Sequence, residues 1–292
     1  MRIYLKLVSL IALGLAGCDS QSGSEGSRNS APHEAVVGKG GHAAVDKRPH
    51  DEAVPTMRLS LSSTGPLMPG RSRSVTLALI DLATAKPMTP EDMAIAHTKK
   101  LHLLVIDASL SDYQHIHPVY DPPSKQWRFD FTPKFSRVYK VWADVTRPDM
   151  HQEYVGADLP VGTESAPPPG TSTAMTAQAD GLRFLLSFPS PLKVGQAAQG
   201  SIAVVDASSG KPFVDLQPVM GAFGHIVAFA GDWNAIEHVH PLGVEPKAES
   251  DRSGPAINFH IQPEQSGVLK LFAQIRANGR ETIVPFTATV AP

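Results

Sequence analysis

Tyr139-Lys140-Val141-Trp142-Ala143-Asp144-Val145 sets Tyr, Val, Ala and Val on one side and Lys, Trp and Asp on the other. A period of two is the pattern of a strand with one face turned into a core. The segment recurs downstream as Leu269-Lys270-Leu271-Phe272-Ala273, each copy preceded by a proline and a serine (Pro133 and Ser136, Pro263 and Ser266). Further out the copies stay in step. Arg58-Leu59-Ser60-Leu61-Ser62 aligns with Arg183-Phe184-Leu185-Leu186-Ser187, and Pro66-Leu67-Met68-Pro69-Gly70 with Pro191-Leu192-Lys193-Val194-Gly195. Ile80-Asp81 and Lys86-Pro87 align with Val205-Asp206 and Lys211-Pro212. The chain is an internal duplication.

The first copy reads as strands over 57–62, 73–81, 101–107, 113–117, 126–132, 137–145 and 152–159, separated by Gly, Pro, Asp and Ser turns. A short helix is expected near Pro90 to Ala96, with Thr89 as its cap and Pro90 at the first helical position. Many short strands with no long amphipathic helix predict an all-β fold of two tandem immunoglobulin-like β-sandwich domains. The expected boundaries are a signal peptide (1–17), a tether (18–55), repeat 1 (56–162), a Pro-rich linker (163–179) and repeat 2 (180–292).

The N-terminus sets the compartment. Arg2 and Lys6 precede an apolar run from Leu7 to Leu15, too short to span a bilayer as a permanent helix but suited to a signal peptide. Leu15-Ala16-Gly17-Cys18 resembles the lipobox of bacterial lipoproteins, which implies lipid attachment at Cys18 and anchorage to a bacterial membrane, with the domains in the periplasm or at the cell surface. The Ser-, Gly- and charge-rich tether would hold the domains off that membrane. Cys18 is the only cysteine, so mature domains have neither disulfides nor thiolate ligands. With Lys+Arg 26 against Asp+Glu 28, nothing in the charge points to nucleic acid.

The histidines carry the chemistry. Leu101 to Pro118 reads LHLLVIDASLSDYQHIHP, and Gly224 to Pro241 reads GHIVAFAGDWNAIEHVHP. Aligned without a gap, these windows are identical only at His102/His225, His115/His238, His117/His240 and Pro118/Pro241. The copies have diverged around their histidines and kept them. His-x-His on a strand puts two rings on one face, with Cα atoms roughly 6.6 Å apart. A hairpin through Ala108 to Asp112 would bring His102 beside that pair, and the same logic holds for His225 with His238 and His240. Three neutral imidazoles suit Zn(II), Cu(II) or Ni(II). Further candidates differ between the copies. His97 aligns with Met220, whose thioether would favour copper, and Asp130 aligns with His260, as a fourth ligand or a partner of one. His33, His42 and His50 fall in the tether, where solvation is the plain expectation.

The pattern His-x12-His-x-His-Pro, followed by a Pro…Tyr-Lys-Val-Trp-Ala strand, resembles a largely uncharacterised group of bacterial secreted or lipid-anchored proteins often met beside heavy-metal and copper handling genes. The resemblance implies metal binding, copper ahead of zinc, at His97, His102, His115 and His117 and at His225, His238 and His240. Met220 departs from the first copy at His97.

Three functions compete. One is a metal-binding lipoprotein that buffers copper or zinc, or delivers it to an efflux or uptake transporter. Its affinity would fall as imidazole protonates below about pH 6.5. Another is a non-catalytic structural or adhesion sandwich with structural histidines. The last is a three-histidine zinc hydrolase, which needs a nearby acid or base. Asp107, Asp112, Asp232 and Glu237 all align with non-acidic residues, and no Gly-x-Ser-x-Gly elbow occurs, so no enzymatic activity is expected.

Overall fold

The computed structural model describes residues 55–237 and 239–292, with only the backbone of His240. The expected signal peptide, Cys18 and the histidines of the expected tether lie outside the described residues, as do His238 and the His240 side chain.

In the first repeat the strands are β1 (Met57–Ser63), β2 (Arg73–Asp81), β3 (Lys86–Pro87), β4 (Leu101–Asp107), β5 (Tyr113–Ile116), β6 (Val119–Asp121), β7 (Gln126–Phe131), β8 (Val138–Thr146) and β9 (Gln152–Pro160). They form two sheets, ordered β1-β2-β7-β6 and β5-β4-β8-β9, with β3 on the side of β2. That is the immunoglobulin order, A-B-E-D against C′-C-F-G. All seven expected strands are present. The two unexpected ones, β3 and β6, are too short to carry a periodic signal. The expected helix is a single 3₁₀ turn, Pro90–Asp92, whose Asp92 carboxylate accepts from the Thr89 backbone N–H (2.8 Å) and hydroxyl (3.0 Å).

The second repeat repeats the plan. Its strands are β10 (Thr176–Ala179), β11 (Leu182–Ser187), β12 (Leu192–Lys193), β13 (Ala198–Asp206), β14 (Leu216–Gln217), β15 (His225–Ala230), β16 (Ile236–Glu237), β17 (Val239–Leu242), β18 (Ala256–Ile261), β19 (Gly267–Ala277) and β20 (Arg280–Ala291). They make the sheets β10-β11-β13-β18-β17 and β12-β20-β19-β15-β16, with β14 beside β19. The end of the expected linker is itself strand, because β10 pairs with β11 from Thr176↔Leu185 to Ala179↔Leu182.

Each sandwich encloses its own core, around Val75, Leu77, Phe131 and Tyr139 in one repeat and Phe184, Phe259, Leu271 and Phe286 in the other. A third cluster joins the repeats: Leu104, Ile106, Leu110 and Tyr113 pack with Phe229 and Phe272. Strand β4 shows the consequence. All seven of its residues are buried, since Leu103 and Val105 face the sandwich while Leu104 and Ile106 face the other repeat. A strand covered on both sides reads as a continuous apolar run, which LHLLVID nearly is. His102 and Asp107 are the exceptions in that run.

Candidate metal centre

His102 comes one residue into β4 and shares its interface face with Leu104 and Ile106. Antiparallel pairing of β4 with β5 sets Leu104 opposite His115. The connecting turn is held by Asp107, whose buried carboxylate accepts from the backbone N–H groups of Ser109 (3.0 Å), Ser111 (2.8 Å) and Asp112 (2.7 Å) and from the Ser109 hydroxyl. Strand β5 ends at Ile116, so His117 sits in the link to β6 rather than on the expected strand. Its ring still lies 4.9 Å from that of His115, centroid to centroid.

Three ring nitrogens converge. His102 Nδ1 is 3.0 Å from His115 Nε2 and 3.1 Å from His117 Nε2, and one nitrogen from each residue can be chosen so that all lie within 4.8 Å of one another. The other nitrogens fix the tautomers. His102 Nε2–H donates to the Ala96 carbonyl (2.9 Å), and His115 Nδ1–H donates to Gln274 Oε1 (2.8 Å). The Gln274 amide cannot be turned round without loss, because its Nε2 donates to Glu281 (3.3 Å). His102 Nδ1 and His115 Nε2 therefore point lone pairs at each other.

Two facing lone pairs repel unless a proton or a cation lies between them. His117 can donate one N–H to one of them, which leaves the other unmatched. An added proton is disfavoured at neutral pH: burial, with help from the neighbouring imidazoles, pushes His115 down to about 3 and His117 to about 4, and burial also lowers His102. A metal ion fits better. Tetrahedral coordination with metal–nitrogen bonds near 2.0–2.1 Å places ligand nitrogens about 3.3 Å apart, close to the two separations present. Ligand imidazoles also characteristically donate their distal N–H to a carbonyl or carboxylate. His102 and His115 both do.

The second repeat begins the same construction. His225 opens β15, where His102 comes one residue into β4, and its Nε2–H donates to the Val219 carbonyl (2.9 Å), the counterpart of Ala96. Two matching turns precede these histidines, closed by bridges Ala96↔Lys99 and Val219↔Ala222. His97 and Met220 hold the same left-handed position in them, at φ 44° and 48°. The likeness of the two halves extends to a sequence family. Residues 52–161 and 177–292 each match the domain of unknown function DUF8832. The chain belongs to the DUF8832 family.

Comparison with other proteins adds little to that. No curated protein matches the chain in sequence. Among solved structures it is similar to domains 4 and 5 of the S-layer protein SbsC (11% identity, 80% of this chain and 98% of that one, TM-score 0.22). It is also similar to invasin, a bacterial integrin-binding protein (13%, 79% and 39%, TM-score 0.23), and to the D00-D0 domain of intimin (11%, 80% and 100%, TM-score 0.22). At these TM-scores the likeness bears on neither site nor function.

Within the two DUF8832 repeats the remaining candidates scatter. Asp130 is exposed on β7, in the sheet away from the histidines, paired in register with Ser74. His260 lies on β18, opposite His240 in register and in the sheet that does not contain His225. Two participants were missing from the sequence reading, Gln274 and Asp144. They occupy the same position in the two repeats, and each is the register partner of a histidine (His225↔Gln274, His102↔Asp144). Desolvation pushes the Asp144 carboxyl up to about 6 while Gln152 Nε2 donates to it (2.8 Å). The repeat alignment carried a signal for both: polar residues matched inside an otherwise apolar strand.

Proposed function

We propose that this protein is an exported, membrane-anchored binder of a transition metal, copper first and zinc next, that holds its ion at His102, His115 and His117. The observation that carries the reading is the 3.0 Å approach of His102 Nδ1 to His115 Nε2, with the far nitrogen of each ring hydrogen-bonded to an oxygen. Imidazole alone supplies the donors, which suits Cu(II) and Zn(II), and burial keeps the rings neutral and ready to ligate. Lipidation at Cys18 would anchor the chain, and the tether would let the loaded domain reach a transporter.

The test uses the full chain purified in detergent, titrated with Cu(II), Cu(I) and Zn(II) and read by native mass spectrometry against a His115→Ala/His117→Ala variant. At least one tightly held ion should be present in the wild type and missing from the variant. Equal loading of both proteins sinks the reading.

One feature favours a second reading, a non-catalytic structural module. The His115–Gln274 hydrogen bond crosses between the repeats, so the imidazoles also tie the two sandwiches together. In that case the double variant should lose stability with or without metal, and added metal should leave the wild-type melting temperature unchanged.

A further inference from the structure

The histidines of the first repeat do not stop at its own three. His97, at the tip of the Ala96–Lys99 turn, reaches the other repeat: its ring centroid lies 4.7 Å from that of His225, edge to face, and 6.2 Å from that of His102. Within the three-histidine centre the corresponding separations are 4.8, 4.9 and 5.2 Å. His97 and His225 are thus as close as any two rings of the candidate centre, although they belong to different domains.

The two turns meet at this point. A Cβ on Gly221 would lie 3.6 Å from the Thr98 methyl group. His225 is oriented in the way His102 is: its Nε2–H is donated to the Val219 carbonyl, which makes Nδ1 the unprotonated nitrogen of the neutral ring. Asp144 is the register partner of His102 on the neighbouring strand.

We infer that His97 and His225 form a second metal position, shared between the repeats, for the same class of borderline transition ion as the three-histidine centre. The inference deepens the proposed function, and rests on it for the identity of the ion. It makes the repeats one binding unit, since an ion at this position is held by both domains. The left-handed backbone at His97, which Met220 shares in the matching turn, carries the ring to the tip of a two-residue turn and across the interface.

The experiment counts zinc or cupric ions on the full chain by native mass spectrometry, with chelator competition for each affinity. His97→Asn is the chief variant, because asparagine tolerates a left-handed φ and the turn should survive. His225→Gln is the second. Loss of one ion, or a tenfold or greater fall in the affinity of one ion, in both variants supports the inference if the His115→Ala/His117→Ala protein keeps that ion. The same ion lost from all three proteins means one centre only and overturns it. Unchanged loading and affinity in His97→Asn and His225→Gln also overturns it, and leaves the three-histidine centre standing. Wild-type protein that binds no ion overturns both. A wild type with a single ion, kept by the His115/His117 variant but lost from His97→Asn, upholds the shared position and sinks the other.

Discussion

Gln274 touches no candidate ion, yet its carbonyl decides which nitrogen of His115 carries the proton. Replacing it with leucine keeps the volume and removes that constraint, so metal affinity should fall about 10- to 100-fold with little change in fold, measured by chelator competition. The same buried rings set a pH dependence. His115 and His117 titrate near 3 and 4 in the folded protein and His225 near 4, against about 6.5 when unfolded. The unfolded chain therefore binds more protons between these values, and stability present above pH 6.5 is lost as the pH falls toward 4. Asp144 acts in the opposite sense, because its carboxyl is raised to about 6, and so does Glu237, which burial also raises; two acids oppose several imidazoles and the imidazoles prevail. Urea midpoints of metal-free protein should drop steadily from pH 7 to pH 5, and a flat profile would contradict the buried, neutral histidines. The histidines were legible as a set because two diverged copies retained them. Gln274 was not, because its partner is 159 residues away in sequence.

At the scale of elements, the turn between β4 and β5 does the positioning. Asp107 is fully buried, satisfies three backbone N–H groups and faces Arg137 Nη1 at 3.5 Å. Asp107→Ala would strand a nearly buried guanidinium together with those donors, and should cost about 3 kcal/mol or more of folding stability by chemical denaturation. Ser109→Ala, which removes only one hydroxyl donor from the same carboxylate, should cost about 1 kcal/mol. The strands were plain in the sequence wherever alternation ran for five or more residues, as in β2 and β8. Two-residue β3 and three-residue β6 were not, since pairing with neighbours rather than periodicity makes them strands. His117 shows the limit of extrapolating a strand. The expected run 113–117 stops at Ile116, and the ring is placed by the link that follows.

At the scale of the molecule, the two sandwiches are joined by an apolar seam with the histidines at one end. Phe272 stacks on Tyr113 across it, with centroids 4.6 Å apart, and Lys140 Nζ donates to Asn234 at its rim (2.7 Å). Phe272→Ala should cost about 3–5 kcal/mol and also weaken metal binding, because the Gln274 carbonyl and His225 are held in place through the seam. Phe286→Ala, in the core of repeat 2 and off the seam, should cost a similar amount while metal affinity per folded molecule changes less; equal losses in both would mean the seam is not what couples the repeats. From the residues alone came the duplication, the all-β class and the retained histidines, because periodicity and repeat spacing are local properties of the chain. Which histidines meet was decided only by tertiary structure. Sequence alignment pairs His97 with Met220 and His102 with His225, as equivalents in separate domains. Packing sets His97 against His225 and His115 against Gln274, because burying the second face of β4 required the repeats to close on each other.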